Sequence, residues 1–181
     1  MVFIINGYLR SGKDTFVTMV SKLWKEWRYR LGLDTTEVIN ISTIDYLKDI
    51  FKKEFNWDGN KTPQARRALS VIHNELALWN DIPFVLTSEK IKEEQSKGNI
   101  VFVHCREPEN IFKYSCAFGA PTIFIKNDNA KRAVLSGSQK LTKSDTEVEN
   151  YKYNIIIDNN STFENLEKQA ENFIIEQIGD I

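Results

Sequence analysis

Val2-Phe3-Ile4-Ile5-Asn6-Gly7-Tyr8-Leu9-Arg10-Ser11-Gly12-Lys13-Asp14-Thr15 joins an apolar run to a glycine-framed turn and then to a helical pattern. The run Val2 to Asn6 has the profile of a parallel strand buried on both faces. Beyond the turn, Phe16, Met19, Val20, Leu23, Trp24 and Trp27 recur three and four residues apart. That spacing predicts a helix from Thr15 to Arg30, stopped by Gly32. Gly7 and Gly12 permit backbone conformations and close approaches that a Cβ would block. Such a loop turns its N–H groups inward, and the helix behind it adds free N–H groups and the positive end of its dipole. Lys13 adds a mobile charge for the outer phosphates of a nucleoside triphosphate. Gly7, Leu9, Arg10, Ser11, Gly12, Lys13, Asp14 and Thr15 are the expected nucleotide-binding residues.

One position departs from the usual form of this motif. A Ser or Thr hydroxyl normally follows the lysine and meets Mg²⁺; here that position is Asp14, with Thr15 one place later. An Asp in the first helical turn sits favourably against the helix dipole. Either Asp14 holds the metal through a water or Thr15 takes over the contact, and the sequence leaves both open.

Outward from this stretch, strands and helices alternate. Glu37 to Ile41, Ile100 to Val103, Pro121 to Ile125 and Tyr153 to Ile157 read as the further strands. Ser42 and Thr43 are expected to cap a helix carrying Ile44, Leu47, Ile50, Phe51 and Phe55. Thr62 as N-cap and Pro63 at the first helical position open another, with an apolar line of Leu69, Ile72, Leu76 and Trp79. Further helices are expected from Pro83 to Lys97, Glu109 to Phe118 and Thr162 to Ile178. This alternation predicts a parallel sheet covered on both faces. A helical insertion over 43–97 lies between the second and third strands, and a polar stretch over 127–150 between the fourth and fifth.

The 181 residues and 41% hydrophobic content fit one α/β domain over 1–181. With 24 basic and 25 acidic residues the formal net charge is −1, which disfavours nucleic acid and anionic membrane as partners. No apolar run approaches the roughly 20 residues that span a bilayer, and the first residues lack the basic region of a signal peptide. Cys105 and Cys116 lack the spacing of a zinc site, and Cys116, in an expected helix, reads as a small buried apolar residue. These features predict a soluble, cytoplasmic protein, monomeric or homodimeric.

Arg10-Ser11-Gly12-Lys13-Asp14-Thr15 resembles the phosphate loop of phage-type deoxynucleoside monophosphate kinases, which also carry Asp after the loop lysine. Animal-type phosphomevalonate kinases have similar Lys-Asp loops, so the loop alone does not choose an acceptor. Ser42-Thr43-Ile44-Asp45-Tyr46-Leu47-Lys48 resembles the segment that helps form the acceptor site in the phage-type family. Ser144-Asp145 followed by Tyr151 to Ile157 resembles its closing element. The likeness is specific at the loop and one of order and pattern elsewhere. It implies a three-layer P-loop NTPase fold with five parallel strands in the order 2-3-1-4-5, a helical acceptor-binding insertion and a lid. It also implies ATP- and Mg²⁺-dependent transfer to a nucleoside or deoxynucleoside monophosphate.

Further candidates follow from the demands of joining two polyanions. Arg66 or Arg67, in the first turns of the insertion's second helix, offers a guanidinium fork to an acceptor phosphate, or else belongs to a solvated helix face. Asp45 and Lys48 pair with each other or meet the acceptor. Arg106 follows the third strand at its carboxyl end, where open α/β sheets bind ligands, and joins Lys13 as a catalytic candidate. That strand ends Val103-His104-Cys105-Arg106-Glu107, without the acidic residue that often organises Mg²⁺. Glu107 either approaches the metal or simply opens the next helix. His104 is not needed as a base, because the acceptor oxygen is already anionic, and His73 reads as structural or surface. Lys126, Lys131, Arg132, Lys140 and Lys143 populate the lid region, and Arg132 is the third catalytic candidate. Trp57 stacks on a base or anchors its turn; Trp79 fits the core line better.

A P-loop kinase of another small phosphorylated metabolite fits the same loop. A nucleotide-dependent regulatory NTPase is the alternative of a different class, although a base-reading motif such as Asn-Lys-x-Asp is lacking. On the reading of Lys13 as a surface-facing charge, Lys13→Ala keeps the circular dichroism spectrum of the native chain and removes phosphoryl transfer. Retained turnover in that variant contradicts a donor site at this loop.

Overall fold

The computed structural model describes residues 1–33, 36–60, 62–136 and 148–179. Its centre is β1 (Val2–Asn6), buried at every position as an apolar run in a parallel sheet must be. The phosphate loop leads from β1 into α1 (Lys13–Arg30), which begins two residues before the expected Thr15. Then come β2 (Val38–Ser42), α2 (Asp45–Phe55), α3 (Pro63–Asn80) and α4 (Ile82–Ser96). The chain returns to the sheet as β3 (Ile100–His104), followed by α5 (Pro108–Phe118) and β4 (Thr122–Lys126). Next are α6 (Asp128–Leu135), β5 (Ile155–Asp158) and α7 (Phe163–Phe173), which continues into a π-helical turn over Ile174–Ile178.

All strand pairings are parallel, and the order is β2-β3-β1-β4-β5, as expected. Alternation along each strand divides the core into two layers. Phe3, Ile5, Phe102, Ile123 and Ile125 face α1 and α7, where they meet Phe16, Val20, Trp24, Leu166 and Phe173. Val2, Ile4, Val101 and Val103 face the other way, against Ile91 of α4 and Ile111 and Tyr114 of α5. Because every strand runs the same way, all five carboxyl ends open on one edge. That edge carries the phosphate loop.

Several expectations change. Ser42 and Thr43 do not cap α2; instead Asp45 Oδ2 accepts the Ser42 backbone N–H at 2.7 Å, from inside the helix. Thr62 does cap α3, accepting from Ala65 N at 3.2 Å. The apolar line of α3 is only partly a core face: Leu69 is buried, but Ile72 is 38% and Trp79 73% exposed. Cys116 is exposed, on the outer side of α5, and only Cys105 is buried. Within the polar stretch 127–150, Asp128–Leu135 is a helix whose N-cap Asn127 accepts from Ala130 N at 2.8 Å. Among the described residues no helix is long and apolar enough to cross a membrane.

Phe173 gathers the α1–α7 layer. Its ring lies 4.9 Å from Phe3, 5.5 Å from Phe16 and 5.8 Å from Phe102, and it is 3% exposed. Phe173→Ala is expected to lower the unfolding free energy by about 3–5 kcal/mol, read as an earlier urea midpoint. A loss below about 1 kcal/mol would show that the layer does not depend on this ring.

Candidate active site

The loop after β1 is shaped by the absence of side chains at two points. A Cβ on Gly7, at φ 152°, would stand 2.6 Å from Ser11 Oγ and 2.7 Å from the Ile125 carbonyl. Arg10 (φ 64°) and Gly12 (φ 97°) are both left-handed, which folds the chain back before α1. Ser11 N donates to Tyr8 O at 3.0 Å and closes the turn. The hydroxyl of Ser11 is buried inside the loop without a hydrogen-bond partner.

Asn159, just after β5, braces this loop from outside. Its Nδ2 donates to Ser11 O at 2.8 Å and occupies the space that a Gly12 Cβ would need. Its backbone N–H donates to Lys126 O at 2.8 Å, and its carbonyl accepts from Asn127 Nδ2 at 2.6 Å. One asparagine thus ties the ends of β4 and β5 to the loop. Its only sequence signal is the turn-like run Asp158-Asn159-Asn160-Ser161.

Lys13 Nζ donates to Gly7 O at 2.7 Å and Tyr8 O at 2.8 Å, so the ammonium bridges its own loop. It is half-buried rather than surface-facing. Burial, and then the nearby Arg106 guanidinium, lower its pKa to about 8, with Asp14 partly opposing them. Arg106 itself is exposed beyond β3, within electrostatic reach of Lys13. Its carbonyl accepts from Asn6 Nδ2 at 3.2 Å, and the same Nδ2 donates to Tyr153 Oη at 2.7 Å.

The loop also touches the base of the 127–150 stretch. Tyr8 packs with Phe124, Ala130 of α6 and Val148. Arg132 is exposed and bonds Asn129 within its own helix at 2.6 Å, while Lys131 pairs with Glu149 at 2.6 Å. Lys126 is exposed at the end of β4. Lys140, Lys143, Ser144 and Asp145 lie outside the described residues.

Asp14 and Thr15 are exposed at the start of α1. Asp14 Oδ1 accepts from Asn40 Nδ2 at 3.4 Å and lies 3.6 Å from His104 Nε2. Burial lowers the His104 pKa to about 4, against a counteracting pull from Asp14 and with a further push down from Lys13, so the imidazole is neutral near pH 7. Asp45 and Lys48 act on it more weakly and pair with each other at 2.6 Å. His73 of α3 is partly desolvated, approaches Tyr46 Oη at 3.5 Å and feels the charge of Glu107, so the insertion folds towards the end of β3. Arg66 and Arg67 are exposed on α3. Trp57 donates to Asn60 O at 3.0 Å and anchors its turn.

No family model matches the chain, and no curated protein matches its sequence. Among solved structures, a "putative kinase" from Chloroflexus aurantiacus is similar at TM-score 0.54 and 9% identity, over 99% of this chain and 96% of that one. A shikimate kinase from Aquifex aeolicus is similar at TM-score 0.50 and 14% identity, over 99% of this chain and 98% of that one. At such identities the likeness concerns architecture alone. The chain has the P-loop kinase fold.

The depressed Lys13 pKa fixes a pH dependence. A bound polyphosphate favours the ammonium, so above about pH 8 binding must take up a proton that the free loop has released. Affinity for a non-hydrolysable ATP analogue, measured without metal, should be level between pH 7.5 and 8 and then fall by up to about tenfold per pH unit. A level affinity up to pH 9.5 would contradict the lowered Lys13 pKa.

Proposed function

We propose that this chain transfers the γ-phosphoryl group of ATP to the phosphate of a nucleoside or deoxynucleoside monophosphate. The observation that carries the reading is the desolvated Lys13 ammonium, held by the Gly7 and Tyr8 carbonyls of a loop whose two glycines admit no side chain of their own. On this reading the loop N–H groups from Gly7 to Thr15 bind the donor's outer phosphates, and Lys13 leaves its carbonyls for phosphate oxygens. Arg106, beside Lys13, offsets charge that develops during transfer, and Arg132 adds to it from the lid over 127–150.

Asp14 and Thr15 are the residues that would hold Mg²⁺. An exposed carboxylate and a hydroxyl suit an ion that takes its other ligands from phosphate and water. Held there, such an ion would supply positive charge against the donor phosphates.

The insertion over 43–97 is the acceptor side. Arg66 or Arg67 clamps the acceptor phosphate as a bidentate fork, and Asp45 with Lys48 lines the approach. Closing the insertion and lid excludes water, so that transfer outruns hydrolysis. No side chain has to act as a base, because the accepting oxygen is anionic.

A coupled ADP-release assay across the common NMPs and dNMPs tests the proposal. Acceptor-dependent turnover with at least one of them is the expected result. Turnover only with another phosphorylated metabolite moves the assignment to that substrate class. Acceptor-independent hydrolysis stimulated by a protein partner replaces transfer with a regulatory NTPase.

A further inference from the structure

We infer that His104 Nε2 joins Asp14 in holding the divalent cation that accompanies the nucleotide, making a mixed imidazole–carboxylate site. The inference rests on the donor-site reading above and adds a ligand that the reading lacks. Strand β3 ends without an acidic residue, and its last member is His104, paired with Ile5 of β1 on one side and Ser42 of β2 on the other. That register sets the imidazole beside the loop that follows β1. The His104 side chain is 15% exposed, and its Nε2 is buried without a hydrogen-bond partner.

An unpartnered buried ring nitrogen costs about 1–3 kcal/mol, so its retention at this edge calls for a partner that arrives with the ligand. The nearest protein atom of opposite character is Asp14 Oδ1 at 3.6 Å, too far for a hydrogen bond. Two donors on one octahedral cation, each at about 2.1 Å, would stand about 3 Å apart, somewhat closer than the 3.6 Å between these atoms. The neutral imidazole is the ligating form. Asn40 Nδ2, 3.4 Å from the same Oδ1, orients the carboxylate from β2 as an outer partner does in metal sites. Donor phosphates and waters complete the shell. An imidazole ligand suits Mn²⁺ or Co²⁺ better than Mg²⁺, so the site should rank these ions above Mg²⁺.

Pulsed electron paramagnetic resonance on the full chain, with Mn²⁺ and a non-hydrolysable ATP analogue bound, reads the site directly. The expected spectrum carries nitrogen modulation from a coordinated imidazole, and His104→Ala or His104→Asn removes it. The same substitutions should cut the Mn²⁺-dependent gain in analogue affinity about tenfold or more. Bound Mn²⁺ without nitrogen modulation in the native chain overturns the inference and leaves the donor site standing. Failure of the analogue to bind the native chain overturns both. Should the variants misfold, the native spectrum alone decides.

Discussion

Everything at the candidate site depends on how closely the backbone after β1 approaches its surroundings. Gly7 leaves no room for a Cβ between Ser11 Oγ and the Ile125 carbonyl, and Gly12 leaves none beside the Asn159 amide. These two contacts hold the loop close to its surroundings at both glycines. Lys13 lies back across the loop, where it bonds two carbonyls and loses enough water for its pKa to drop to about 8. A wider loop would leave that lysine solvated and ordinary.

The sheet supplies the rigidity behind this arrangement. Parallel pairing of β1 with β3 and β4 brings Arg106, His104 and the Asn127–Asn159 bridge to the same edge as the loop. Tyr8, a loop residue, packs on Ala130 and Val148, the two ends of the stretch read as a lid. Packing and Asn127, which both caps α6 and holds Asn159, thus connect α6 to the loop. Within the insertion, His73 of α3 approaches Tyr46 of α2 at 3.5 Å and feels the charge of Glu107 beyond β3.

Much of this was legible in the sequence because the deciding features are local. Glycine spacing, the apolar run of β1 and the helical period of α1 each follow from neighbours within a few residues. The order of strands and helices followed in the same way. Burial of a helix face is different, since it depends on what the helix meets. Thus Trp79 and Cys116 carried plausible apolar patterns and proved exposed. The helix α6 was hidden by its polar composition, with Ala130 as its one buried residue. Asn159 bonds Ser11 across 148 positions, and His104 meets Asp14 only after the sheet forms. Lys13 looked surface-facing because nothing local to it announces the two carbonyls.

The loop after β1 is proposed as the donor phosphate site. A crystal structure with a non-hydrolysable ATP analogue bound tests it most directly. The outer phosphates are expected inside the loop, ringed by N–H groups of Gly7 to Thr15, with Lys13 Nζ moved from the Gly7 and Tyr8 carbonyls onto phosphate oxygen. An analogue bound elsewhere, with Lys13 still on those carbonyls, would contradict it.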